Sequence, residues 1–259
     1  MIWTKFPVVV LIAVLSINSA TALPAPAPSP APSVASSSSP SFYIALMNTF
    51  LQTTKLTNCA LDPTTPLPLS TLAPPSTGLT LKSITIGRGT QNYTCDTANP
   101  SSKPTATGAT ATLFDASCLA SFGTGNDGDL LHLVPDALKP ISLGTTDLIT
   151  GILARASGQN IEIGKHYFTA ASVPFFDLTS SGSGMDKWIA AKKEGEMPAP
   201  GKPGFGVTGD VAWLKLTGVE GGFKEVYRVL TAGGAAPETC LDMEEVFTVD
   251  YTSEYWFYG

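Results

Sequence analysis

From Leu79 to Tyr258 the chain is cut into short runs of β-branched and aromatic residues by clusters of glycine and proline. This punctuation limits the possible folds more than any other feature. Such runs fit a pleated, half-buried surface, and Gly and Pro end them, Gly by admitting turn conformations and Pro by removing a backbone donor. Strands are expected at 79–86, 90–95, 109–117, 165–171, 173–178, 187–192, 211–217, 224–231 and 246–258. The expected fold is all-β, an antiparallel β-sandwich or barrel-like structure with one or two short helices and long loops.

Period-2 alternation gives each strand its faces. Gln91, Tyr93 and Cys95 share one face of the second run, with Thr90, Asn92 and Thr94 on the other. In the last run Phe247, Val249, Tyr251, Tyr255 and Phe257 share a face opposite Asp250, Thr252 and Glu254, which predicts a half-buried strand. Two stretches read as helix: 41–56, where Phe42, Leu46 and Phe50 recur at helical spacing behind a possible Ser41 cap, and 146–156, capped by Thr145 or Asp147. The five prolines of 61–78 mark an extended loop, and 123–129 is a turn cluster.

Residues 1–22 read as a signal peptide, with Lys5 before an apolar run and Ala20-Thr21-Ala22 as a cleavage site. The run is about half the length needed to span a bilayer, so no membrane anchor is expected. Residues 23–40 are almost wholly Pro, Ala and Ser, a disordered tether that cannot bury enough surface to offset its ordering entropy. One β-rich domain follows at 41–259. A secreted chain with four cysteines implies two disulfides. In a hairpin turning near Lys103, Cys95 and Cys118 would lie some 20 Å apart, too far to bridge. That disfavours Cys95–Cys118, and of the two pairings left, Cys95–Cys240 with Cys59–Cys118 is preferred. Asn92-Tyr93-Thr94 is a glycosylation sequon on the outward face.

Net charge is −6, from 15 Lys and Arg against 21 Asp and Glu, so nothing attracts nucleic acid phosphates. Gly204-Phe205-Gly206-Val207-Thr208-Gly209 spells a dinucleotide fingerprint, but Met197-Pro198-Ala199-Pro200 precedes it and a strand follows, so it reads as a loop. No metal-ligand spacing occurs, and Asn126, Asp127 and Asp129 lack the rest of a calcium loop. No cofactor or metal is expected. His132 and His166 are the only histidines. His132 reads as packed, whereas His166 opens a strand and can reach a rim. Glycoside hydrolysis would need two facing acids, drawn from Asp177, Glu225, Glu245 and Glu254. Trp213 reads as core. The candidate binding surface is His166, Tyr167, Trp188, Trp256 and Tyr258, with Trp256 and Tyr258 placed outward by their strand's alternation.

The ordered segments 87–95, 111–115, 164–168, 210–214, 227–234 and 249–258 together resemble the fungal branch of the domain of unknown function 3455 family, over about residues 60–259. The resemblance implies an exported β protein and supplies no catalytic residues. Members are often labelled malate dehydrogenase, an activity that implies an N-terminal dinucleotide unit, a His–Asp pair and several arginines. Here the arginines are Arg88, Arg155 and Arg228, and that activity is not expected. The leading expectation is a secreted, non-catalytic binding or wall-associated protein that meets cell-wall glycan or an extracellular protein. The alternative is a secreted hydrolase of wall polysaccharide or ester.

Overall fold

The computed structural model describes residues 59–121, 130–157, 161–181, 186–200 and 209–259. The leader, the tether, the helix expected at 41–56, the turn cluster at 123–129 and most of the glycine fingerprint lie outside the described residues.

Eight antiparallel strands follow one another in chain order around a closed barrel. They are β1 (Leu81–Thr94), β2 (Thr105–Asp115), β3 (Glu162–Phe168), β4 (Pro174–Asp177), β5 (Trp188–Met197), β6 (Trp213–Gly221), β7 (Glu225–Gly233) and β8 (Val246–Tyr258). Between β2 and β3 come α1 (Ser117–Ser121), α2 (Leu130–Leu138) and α3 (Leu143–Ser157). Closure comes from β1 and β8, which pair from Leu81↔Tyr258 to Thr94↔Val246. A closed ladder leaves no free edge, which decides between barrel and sandwich in favour of the barrel.

The runs at 79–86 and 90–95 are one strand, carried through by Gly87 and Gly89. A Cβ at Gly87 would lie 2.4 Å from the Tyr255 ring, so only glycine lets that ring lie across β1. The β1–β2 hairpin turns earlier than expected, with Thr94↔Thr105 the last pair. Cys95 and Cys118 still lie at opposite ends of the hairpin. The disulfides are Cys59–Cys118 and Cys95–Cys240, with Cα–Cα distances of 5.0 and 5.5 Å. The helix expected at 146–156 begins at Leu143 and is capped by Ser142, whose Oγ accepts from Thr145 N at 3.2 Å.

Two apolar clusters lie on opposite sides of the barrel wall. Leu113, Phe176, Ile189, Leu216, Val226, Tyr251, Tyr255 and Phe257 fill the interior. Ile84, Ile86, Trp213, Tyr227, Val229, Trp256 and Tyr258 point outward from β1, β6, β7 and β8. Leu119, Leu131 and Val134 from α1 and α2 cover them, together with Leu61, Leu67, Leu72 and Leu79 of the proline-rich segment. Each fully buried aliphatic side chain contributes about 1.5–3 kcal/mol, and the half-buried leucines of the proline-rich segment contribute less. The segment is also pinned by polar bonds. Tyr227 Oη donates to Ala73 O at 2.9 Å, and Ser76 Oγ donates to Glu225 Oε1 at 2.5 Å. Glu225 in turn faces the buried Lys215 at 3.3 Å.

This cover corrects the half-buried reading of the last strand. From Tyr251 to Tyr258 every residue of β8 is buried on both faces. Alternation identifies two faces but not what packs on each.

Candidate functional site

The five residues proposed from sequence as one surface divide among three places. Trp256 (0% exposed) and Tyr258 are buried, not available at the surface. They do face out of the barrel, but α1, α2 and the proline-rich segment lie over them. Trp256 Nε1 donates to Glu254 Oε2 at 2.8 Å. Tyr258 meets the Tyr227 ring edge-on at 5.6 Å, and burial first, with the Glu225 charge second, pushes its hydroxyl up to about 12.

His166 (4% exposed) points into the barrel and not to a rim. Its register partners are Ala111 and Phe176, and its ring stacks on Phe176 at 4.0 Å. Nδ1 lies 2.9 Å from Phe175 O. A carbonyl only accepts, so Nδ1 carries the proton and Nε2 a lone pair. Burial lowers the pKa to about 4, the carbonyl bond opposes this, and the Arg228 charge adds to it. The ring is neutral at neutral pH.

Tyr167 and Trp188 come together on the outer face through a residue that sequence reading passed over. Tyr167 on β3 pairs with Phe175 on β4, and their rings stack at 5.2 Å. Phe175 then stacks on Trp188 of β5 at 5.3 Å. The row crosses three strands, and Tyr167 (39% exposed) is its most open member. Only the register brings the three rings into line. The Phe175-Phe176 pair was the available signal, since one of two consecutive strand residues must point outward.

At the Tyr167 end of the row lies a groove of about 350 Å³, lined by Thr90, Thr110, Thr112, Asp147, Lys165 and Tyr167 among others. Thr112, Asp147 and Lys165 also line an adjoining hollow under α3. Thr90 and Thr110 hydroxyls lie 3.2 Å apart. Lys165 Nζ donates to Thr112 Oγ1 at 2.9 Å and pairs with Glu162 at 2.7 Å. The groove's inner end is Arg88, whose guanidinium binds Tyr251 O, Ile141 O and Asp250. Burial lowers the Arg88 pKa, and the Asp250 charge raises it again.

The acids weighed for hydrolysis occupy unlike places. Asp177 caps the turn after β4 by accepting from Thr179 N at 2.9 Å. Glu225 holds Ser76 and Lys215. Glu254 lies fully buried between Trp256 and His132 Nδ1, 2.9 Å away, so His132 on α2 is packed against the outer face of β8. Glu245 is exposed. Among the described residues no group of three or more His, Cys, Asp or Glu is placed to hold a metal ion. Asn92 sits half-buried on β1, its side chain accepting from Thr90 Oγ1 at 3.1 Å.

Residues 75–259 match the family described as "Protein of unknown function (DUF3455)". No curated protein and no solved structure matches the chain.

Proposed function

The chain belongs to the DUF3455 family, and we propose that it is an exported, non-catalytic binding protein that holds glycan on the outer face of its barrel. The carrying observation is the row Tyr167–Phe175–Trp188, whose Tyr167 end also lines a groove holding hydroxyls and charged groups. A sugar offers an apolar C–H face ringed by hydroxyls. Aromatic rings take the first, and threonine, lysine and aspartate side chains take the second. An obligate protein partner would ask for a broad apolar patch. The other exposed large apolar residues, Leu69, Leu148, Val219, Leu241 and Val246, lie on separate elements of the chain. Two disulfides fit an oxidising compartment, and no described helix is long and apolar enough to cross a membrane.

The test is co-sedimentation of the full chain with insoluble chitin, β-1,3-glucan and cellulose. Retention on at least one, lost in Tyr167→Ala and Trp188→Ala, supports the reading. Retention on none, or retention unchanged in both variants, refutes it.

A further inference from the structure

We infer that the mouth of the barrel is a second site and that it takes a small zwitterion with an apolar body, the chemistry of an apolar amino acid or dipeptide. A cavity of about 620 Å³ lies there. Its lining includes Ser83 near the start of β1, Asp115 at the end of β2, Ile163 near the start of β3, Leu178 after β4, Lys187 before β5 and Phe223 between β6 and β7. In a closed ring of antiparallel neighbours the starts of odd strands and the ends of even strands meet at one end, so this cavity is the barrel's mouth. Barrel mouths are recurrent places for one small ligand. No member of the outer-face row lines it.

The floor of the mouth is apolar. Leu178 and Phe223 (1% and 6% exposed) top the packed interior, the Phe223 ring lying 5.0 Å from that of Phe257. The rim is charged and balanced, with Lys82 and Lys187 against Asp115 and Asp186. Asp115 is held in place by Ser117, whose N and Oγ both donate to Oδ1, at 2.9 and 2.7 Å. Glycines bring Lys82 and Asp186 to the same rim. A Cβ at Gly222 would lie 2.7 Å from the Asp186 Cβ, and one at Gly259 would lie 3.5 Å from Gly222 O and 3.7 Å from Lys82 Cγ. Both side chains are exposed, and among the described residues no ion pair joins Lys82 to Asp186 or to Asp115. A lone anion here meets two carboxylates, and a lone cation meets two ammonium groups. A zwitterion answers both signs, its carboxylate on Lys82 and its ammonium on Asp186, while its apolar body covers Leu178 and Phe223.

The test begins with ligands rather than variants. The full chain is titrated by calorimetry at about pH 6, where α-amino groups are charged. L-Phenylalanine and L-leucyl-L-phenylalanine separate the two sources of the chemistry. N-acetyl-L-phenylalanine keeps only the anion, L-phenylalanine amide only the cation, and glycine both charges without the apolar body. The expected result is saturable binding of at least one of the two zwitterions, with each control weaker by roughly threefold or more. Asp186→Asn should narrow the gap between phenylalanine and its N-acetyl form and leave the gap to the amide. Lys82→Met should do the reverse. No saturable binding of either zwitterion overturns the assignment. So do controls that bind as tightly as phenylalanine, or gaps that stay the same in both variants.

Discussion

Replacing Arg88 with methionine should loosen the helical cover before it loosens the barrel. Arg88 is buried on the outer face of β1 and donates to Tyr251 O on β8 at 2.9 Å and to Ile141 O between α2 and α3 at 2.7 Å. It also pairs with Asp250 at 3.0 Å. Methionine keeps the length and removes every donor. The Asp250 side chain, 49% exposed, regains water, so its loss counts for little. The two carbonyls stay covered, and each charge-assisted bond lost there costs about 1.5–3 kcal/mol. Relief of the buried guanidinium, whose depressed pKa records its desolvation, offsets part of this. The net loss should be about 2–4 kcal/mol, which is roughly 5–15 °C in midpoint for a domain of this size. Urea unfolding gives the magnitude. Hydrogen exchange gives the location, because amides of α2 and the start of α3 should lose protection ahead of those in β7 and β8. A loss under about 1 kcal/mol, or an even loss of protection across helices and strands, would refute the claim that Arg88 fastens the helices to the wall.

Cys95→Ser with Cys240→Ser opens a link across 145 residues, and the chain-entropy argument sets a ceiling of about 5 kcal/mol on the cost. Urea midpoints should fall accordingly, and an unchanged midpoint would mean that the loops on either side hold themselves. His166 should remain neutral throughout the physiological range by NMR titration, because burial holds its pKa near 4. The unfolded ring has its ordinary pKa of about 6.5 and so takes up a proton first as pH falls. The stabilising difference is therefore full above about pH 6.5, shrinks below it, and is spent at about pH 4, a swing of about 3 kcal/mol. His166→Phe should flatten that acid limb, and an unaltered limb would contradict the burial argument. Trp256→Ala should cost about 3–5 kcal/mol by opening a hole under α2, whereas Tyr167→Ala should cost less than about 1 kcal/mol. Equal costs in thermal unfolding would contradict the assignment of one to the core and the other to the surface.

Much of the barrel is legible in the sequence because strand signals are local. Alternation in Gln91–Cys95, turn chemistry around 96–104 and the aromatic run ending at Tyr258 each depend only on near neighbours. Strand length alone disfavoured Cys95–Cys118, and that exclusion held even though the hairpin register differed from the expected one; it did not by itself choose between the two remaining pairings. The helices were harder to see. Leu130–Leu138 is a short apolar run with Pro135 inside it, and neither period settles whether such a run is helix or strand. Least legible were the long-range events. Trp256 and Tyr258 face outward as their alternation implies, yet nothing near them in the chain says that a helix from 130–138 and a proline-rich strap will lie on top. Phe175 was missed for the same reason. Its partners, Tyr167 and Trp188, become neighbours only once β3, β4 and β5 are in register.

The outer-face row can be addressed through its own fluorophore. Of the four tryptophans, Trp3 lies outside the described residues, Trp213 and Trp256 are buried, and among the described ones Trp188 alone is part-exposed. Titration with chitohexaose, laminarihexaose and cellohexaose should change the emission saturably for at least one of them. That change should vanish in Trp188→Phe and weaken roughly tenfold in Tyr167→Ala. No saturable change with any of the three, or a change that persists in Trp188→Phe, would contradict the assignment of this surface to glycan.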